Sequence, residues 1–551
     1  MGHMKHRIGA QTAALALAVG LGCGGPALAK IEFHPQLEVR ESWSDGVSSE
    51  NGFITTISPG ADISFNSRRV TGGITYNYER RIGIGTRVVD KNRHNLVARA
   101  NANIIEDFLS LDTGAVATRL IRDLRGPLSL NPEQDGQNLS DVFNVFVRPT
   151  VSRPLGNLAR FTASYEFAYT DINDITDPFA AGGAGFDGDL SLGAVADSKS
   201  HGVNVSLASL PSSSNLTWTL SGRYARENIK VLSEQTEIYS GNFDLEYALT
   251  RKISLLGSAG WESTFDDRDT PLTDQQGRPV FDNNGDFIVD PSAGRTVVFD
   301  QQGVTWDVGL RLNPNQRTNL VVRGGRRFGD LIWSVALNYQ PRPGLTLVGS
   351  YNQSVDTFGR LLTQNVNGIP ETFIVSRNRV SGLFLGGIFP VPGLINGFPT
   401  ASFSAVNNSV FRLRSGSLGV TYDRRKFTGN LSLFFQTRDL LSFVPLPGVP
   451  DALEPTNIGD RDRSVGAFLT NSYKIGRKSS VSLDLFYSAL RFQLSEGRND
   501  NFYGGSVSYT YSLGRYVNLF SRVYGSQRTS NFNTGFDSND FSVSVGATAR
   551  F

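Results

Sequence analysis

The sequence predicts an all-β protein: a transmembrane, antiparallel outer-membrane β-barrel of about 22 strands (roughly 20 to 24), with short periplasmic turns and long outer loops. Three observations carry that expectation. Apolar and polar residues alternate with period two from about residue 30 to the C-terminus, the connections between alternating segments follow a short-and-long rhythm, and the last segment ends on an aromatic. Period two is the mark of a strand with one apolar and one polar face.

Composition agrees. The 551 residues include 58 Gly and 11% aromatics, with 19% charged residues and a net charge of +2. Mean hydropathy is −0.20, too polar for a helical membrane protein and suited to a barrel that is apolar on one face only. The near-neutral charge offers no bulk attraction for nucleic acid or another polyanion, so no nucleic-acid partner is expected.

The first 29 residues read as an export signal for the general secretory pathway. Lys5 and Arg7 supply positive charge, Ile8 to Gly22 an apolar stretch, and Ala27, Leu28 and Ala29 a small-residue cleavage site before Lys30. Met1, Gly2 and His3, ahead of Met4, read as a cloning remnant. The single cysteine, Cys23, falls inside this segment; Leu21-Gly22-Cys23 resembles a lipoprotein box, but the Ala-Leu-Ala site is better formed. Residues 30–551 are then one barrel domain without cysteine chemistry. Past the signal no apolar run reaches the roughly 18 residues of a spanning helix, so strands must cross the membrane.

Four segments show the alternation most clearly. Leu216, Trp218, Leu220, Gly222 and Tyr224 alternate with Thr217, Thr219, Ser221 and Arg223; Val304, Trp306, Val308, Leu310 and Leu312 with Thr305, Asp307, Gly309 and Arg311. Phe161 to Tyr169 and Val481 to Tyr487 behave alike. Soluble strands run about 5 to 6 residues. These run roughly 10 to 14, and a tilted transmembrane strand needs about 9 to 11. Tyr76 and Tyr78, Tyr165 and Tyr169, and Tyr509 and Tyr511 sit near strand ends, as interfacial girdles require.

Connections after even-numbered strands are all tight, for example at Asn66-Ser67, Arg251-Lys252, Arg424-Arg425 and Gly514-Arg515. Those after odd-numbered strands include every long one, near 122–139, 171–197, 263–297, 356–407 and 439–460. Phe541, Val543, Val545, Ala547, Ala549 and Phe551 then alternate to the terminus, an assembly signal for the machinery that inserts outer-membrane barrels.

A barrel this wide is usually plugged. Strands begin almost at residue 30, leaving no room for a globular plug ahead of them, so energy-coupled uptake of that type is not expected. The candidate filling is the longest loop, 356–407. Its segment with Leu383, Phe384, Phe389 and Phe398, preceded by Arg377 and Arg379, is too apolar for bulk water. It reads equally as a constriction or lid and as an outer loop packed on its neighbours or on a second barrel. On the polar faces, Arg99, Arg160, Arg223, Arg311 and Arg323 stand with Glu166, Glu262, Asp307 and Asp484. This mixed-charge set suits a lining for a polar solute or sugar chain, although any one of these residues reads more simply as half of a lumen ion pair.

No cofactor or metal is expected. Asp274, Asp282 and Asp290 mark two Asp/Gly turns, but glycine stands at the fourth position, not the sixth that a calcium loop needs. Beyond the signal the histidines are His34, His94 and His201, none placed by sequence beside a serine and an acid. A non-enzymatic protein is therefore the expectation, with a sealed scaffold or adhesion barrel and a rim-site enzyme as rivals.

The stretch Leu37-Glu38-Val39-Arg40-Glu41-Ser42-Trp43-Ser44-Asp45, followed by Phe53 to Gly60, resembles the opening of the type two β-barrel porins, which include barrels associated with exosortase systems and exopolysaccharide loci. Asn101-Ala102-Asn103 before Glu106-Asp107 is similar to a later pattern of that family, whereas Ser44-Asp45-Gly46 departs from its Thr-Asp-Asn turn. The resemblance covers residues 37–110. It implies porin-like passage or surface-polysaccharide export, with outer-membrane lipid and lipopolysaccharide, the barrel assembly machinery, exopolysaccharide and its periplasmic export proteins as partners. It supplies no catalytic residue.

Overall fold

A computed structural model describes residues 30–45, 52–84, 91–121, 139–173, 197–210, 215–275, 280, 282, 287–371, 373–375, 388–390, 410–441, 461–492, 498–531 and 537–551. The expected export segment lies outside these residues.

The chain runs through β1 (Lys30–Asp45), β2 (Gly52–Asn66), β3 (Val70–Ile84), β4 (Lys91–Ile105), β5 (Leu109–Ile121), β6 (Leu139–Leu155), β7 (Ala159–Asn173) and β8 (Ser198–Ser209). It continues through β9 (Leu216–Ile229), β10 (Gln235–Ala248), β11 (Ile253–Arg268), β12 (Thr296–Asn315), β13 (Thr318–Arg327), β14 (Asp330–Arg342) and β15 (Leu345–Asp356). A helix, α1 (Phe358–Asn367), and two short strands, β16 (Phe373–Val375) and β17 (Ile388–Pro390), interrupt the series. It closes with β18 (Phe411–Arg424), β19 (Phe427–Leu440), β20 (Arg461–Lys474), β21 (Ser479–Phe492), β22 (Asn499–Ser512), β23 (Val517–Ser530) and β24 (Ser538–Arg550).

All strands but β16 and β17 form one 22-stranded sheet. Each pairs antiparallel with the next in sequence, β15 with β18, and β24 returns to β1 through pairs such as Val39↔Ala547 and Trp43↔Val543. The sheet is thus a closed barrel. Closure satisfies the backbone groups that hydrocarbon would leave unpaired.

Side-chain alternation decides which face meets lipid. On β12, Val304, Trp306, Val308 and Leu310 are exposed on the outer wall while Thr305, Asp307, Gly309 and Arg311 point inward. Tyr239 and Tyr247 on β10, and Tyr503 and Tyr511 on β22, bracket the apolar band. Between Tyr239 and Tyr247 a strand rises roughly 26 Å, about 20 Å along the axis at a tilt near 40°, close to the ~25 Å band of an outer-membrane barrel. On the same outer wall the Tyr76 hydroxyl lies 2.8 Å from His94 Nδ1 and the Tyr165 hydroxyl 2.7 Å from His201 Nδ1, so both histidines belong to the girdle. The protein is a multi-pass barrel of the outer membrane.

The rhythm of turns follows the reading of the sequence. The periplasmic connections, such as Ser67–Arg69 and Arg425–Lys426, are short, and Gly344 at φ 81° makes a turn that a side chain would strain. Every long connection lies at the opposite end.

The alternation gives a direct test. Val308→Arg, between the girdles, should destabilise the folded barrel by about 2–4 kcal/mol, and Val297→Arg, near the outer rim, by about 0–1 kcal/mol. Equilibrium refolding into lipid vesicles over a denaturant series measures both.

Candidate functional site in the barrel lumen

The polar inner face has one apolar region. Val97 on β4, Val116 and Leu120 on β5, Val142 and Phe146 on β6, and Ala168 and Ile172 on β7 all point inward, and they are buried because α1 lies on them. Phe358, Leu362 and Val366 recur every fourth residue along α1, and with Ile369 they cover this wall; Phe411 and Leu413 of β18 complete the cluster. Each fully buried side chain of this size contributes about 1.5–3 kcal/mol. A helix of this length is marginal in isolation, so the wall is what holds it helical.

Polar contacts fix its two ends. At the start, Thr357 donates to the Glu227 carboxylate of β9, while Asp356 receives Arg360 Nε at 2.8 Å and Gln364 Nε2 at 2.5 Å. Midway, Asn144 Nδ2 reaches Thr363 Oγ1 at 2.9 Å and Thr170 Oγ1 at 3.0 Å. At the end, Asn367 Oδ1 accepts from Arg99 Nη2 at 3.1 Å and from Arg148 Nη2 at 2.8 Å. Both guanidinium groups also grip Asp112, at 2.9 and 2.6 Å, and Arg99 Nε reaches the Ile369 carbonyl at 3.3 Å. Cations at a helix C-terminus match its dipole.

Contact with the wall is close. A Cβ at Gly359 would stand 2.3 Å from Glu227 Oε1 and 2.6 Å from Ser198 Oγ. Beyond the helix, Phe373 of β16 approaches Gly73 on the inner face of β3, and β16 pairs with β17. Glu227 is near the outer end of its strand and Gly73 near the periplasmic end of its own. The segment therefore descends most of the way through the lumen along β3 to β9.

The charged residues singled out from sequence all lie on inward faces, and most are paired. Arg99 joins the Asp112 node, and Glu166 stands 3.8 Å from Arg148 of the same node. Arg311 meets Glu246 at 2.8 Å, and Arg323 lies 3.4 Å from Asp307 and 3.5 Å from Asp244. Glu262 accepts from Arg327 Nε at 2.9 Å, and Asp484 from Ser506 at 3.2 Å. Arg160 is within 3.5 Å of Ser152, and Arg223 is exposed to the lumen. Arg377, Arg379, Leu383, Phe384 and Phe398, expected to carry the constriction, lie outside the described residues, as does the side chain of Phe389. The turns at 276–279 and 283–286 also lie outside them. Among the described residues the lumenal contacts fall on α1 and its wall. Apolar inward positions on β5 and β6 were the available signal.

Two acids outside the spanning strands are shifted upward. Burial, helped by the nearby Asp112 charge and opposed by Arg99, raises the Glu371 carboxyl above the usual range. Burial beside Asp266 pushes Glu234, in the outer turn before β10, well above it.

No family model matches the chain, and no curated protein matches its sequence. Among solved structures, it is similar to the siderophore receptor PiuA from Acinetobacter baumannii, with 9% identity over 94% of this chain and 82% of that one and a TM-score of 0.47. It is also similar to the copper transporter OprC (11% identity, 96% and 82% covered, TM-score 0.48) and to the ferric-catecholate import receptor Fiu from E. coli (10% identity, 94% and 81% covered, TM-score 0.46). The barrel and its seat in the outer membrane rest on the closed ladder and lipid-facing band described above.

A Thr363→Cys thiol should be shielded from an impermeant maleimide by α1 docking, and Gly359→Leu should expose it. Because the docked form favours protonated Glu371, docking is strongest below the ordinary glutamate pKa of about 4.3 and weakens as pH rises through the raised value. The maleimide labelling rate, divided by that of an exposed reference thiol at the same pH, should increase over that window. Glu371→Gln should flatten the profile.

Proposed function

We propose that this barrel is a passage for a polar solute, with surface polysaccharide as the leading cargo, and that the segment from α1 to β17 narrows it. The observation that carries this reading is the descent of a loop through the lumen beside a wall of paired charges. A loop that served only as an outer cap would have no need of contacts from Glu227 down to Gly73. The paired charges give a cargo hydrogen-bonding groups without strong net attraction of either sign, which suits a neutral or weakly charged glycan. The resemblance of residues 37–110 to the type two β-barrel porins adds the exopolysaccharide setting and, with it, periplasmic export proteins as partners. The protein acts without catalysis in this reading, and the alternating terminal strand through Phe541, Val543, Val545 and Phe551 serves its insertion.

Single-channel recording in a planar bilayer tests it. Replacing residues 358–390 with a short Gly-Ser linker should raise unitary conductance several-fold, and added surface polysaccharide should block the steps. A folded barrel that stays silent both with and without the segment would favour a sealed scaffold and overturn the reading.

A further inference from the structure

The barrel wall has a seam. Between β14 and β15 the ladder runs from Arg342↔Leu345 up to Val335↔Tyr351 and stops there. Above that point Asp330–Ser334 and Asn352–Asp356 are not paired to each other, although β14 keeps its pairing with β13 up to Asp330 and β15 with β18 up to Asp356. Two strand edges therefore face each other unjoined.

The seam lies at the outer edge of the lipid band. Trp333 stands as far along β14 from Arg342 as Tyr239 stands from Ala248 and Tyr503 from Ser512, so it belongs to the outer girdle. Leu331, one turn of the pleat higher, is 72% exposed on the outer wall, and Trp333 60%. Unpaired backbone at this depth is tolerated where it borders a protein or aqueous cavity rather than acyl chains.

Side chains bridge what the backbone does not. Arg412 of β18 donates to Asp330 and, at 2.9 Å, to the Phe328 carbonyl; Gln301 Nε2 reaches the same carbonyl at 2.6 Å. Phe328, at the tip of the β13–β14 hairpin, holds φ at 52°, which is strained for a bulky residue, and its N–H is fixed by the inward carboxylate of Glu262 at 2.5 Å. Its ring joins Val355, Val410, Phe299 and Leu441 in a small apolar cluster at the seam. Phe299 lies on the inner face of β12 in step with Gln301 and Thr305, opposite Asp266. An apolar patch thus connects the lumen side of the wall to the unjoined edges. Beside it runs a chain of charges: Arg414 lies 3.8 Å from Asp330 and 3.0 Å from Asp439, and Asp439 is 2.5 Å from Arg461. With Arg412 this makes three guanidinium groups to two carboxylates.

We infer that the β14–β15 seam is a lateral portal for an acyl-chain amphiphile with an anionic head group. The acyl chain lies on the side chains of Phe328 and Val355, away from the unpaired backbone, and the head group meets the arginine-rich cluster. The hairpin tip is the latch, held by Glu262, Gln301 and Arg412 and released when Phe328 leaves its strained position. This route is separate from passage of a polar solute along the axis and does not depend on it.

The test is photolabelling of the folded protein in phosphatidylcholine vesicles, with the mature chain's lack of cysteine as background. One arm uses a diazirine-bearing long-chain fatty acid and a parallel arm a diazirine phosphatidylglycerol, which separates a free amphiphile from a membrane lipid. Label should appear on Phe299, Phe328 or Val355, in addition to the lipid-facing Tyr487 and Tyr503, with one probe or both. Oxidising an Ile332→Cys/Ser354→Cys pair across the seam should abolish label at the first three and leave the tyrosines unchanged. Gln301→Ala, which frees the Phe328 carbonyl without touching the arginine cluster, should increase it. Heat-modifiable gel mobility verifies that each variant is folded. Label confined to the tyrosines with both probes, or unchanged in the oxidised pair and in Gln301→Ala, overturns the inference. So does a cross-link between two chains with no label at the cluster, which would assign the edge to a second copy.

Discussion

Every peptide group that enters hydrocarbon must find a partner within the protein, and the structure is organised around that requirement. The Val39↔Ala547 and Trp43↔Val543 pairs, which join the first strand to the last, leave the sheet without an edge at the point where chain ends would otherwise expose one. Once the wall is closed, period two sorts its side chains. Val304, Trp306 and Val308 must face lipid, and Thr305, Asp307 and Arg311 are then committed to the lumen, where their charges need partners of their own.

The inner surface meets that need in two ways. Around Arg311 and Arg323 it does so by ion pairs within the wall. Between β4 and β9 it does so by taking up a segment of the chain. The Arg99–Asp112–Arg148 node is completed by Asn367, and Asn144 by Thr363, so the inserted helix is both packing for an apolar strip and partner for a polar one. Removal of the helix would leave Val116, Leu120, Val142 and Phe146 wet and the node short of an acceptor. Docking is for this reason an inherent part of the folded barrel.

Much of the fold was legible from the sequence because it is local. Alternation, tight turns at sites such as Arg424-Arg425 and the terminal Phe541 to Phe551 pattern are each written within a dozen residues. The inward placement of Arg99, Glu262 and Asp484 followed from the same parity. The docking helix was not legible. Phe358, Leu362 and Val366 sit in a connection where no period is expected, and the apolar run around Leu383 drew attention further along the loop. Its trace lay on the other side of the contact, in Val142, Phe143, Val145, Phe146 and Val147, a strand apolar on both faces. The seam was hidden for a different reason: β14 and β15 keep their alternation through it, and whether two strands are bonded is a property of the pair.

The central claim is that α1 lies in the lumen against β6, and the 2.9 Å contact between Asn144 and Thr363 offers a direct measurement. In residues 30–551, which hold no native cysteine, an Asn144→Cys/Thr363→Cys pair should oxidise to an intrachain disulfide during assembly, resist maleimide until reduced, and alter mobility on a non-reducing gel. Two thiols that both react freely with maleimide in the folded barrel, with no cross-link, would contradict it.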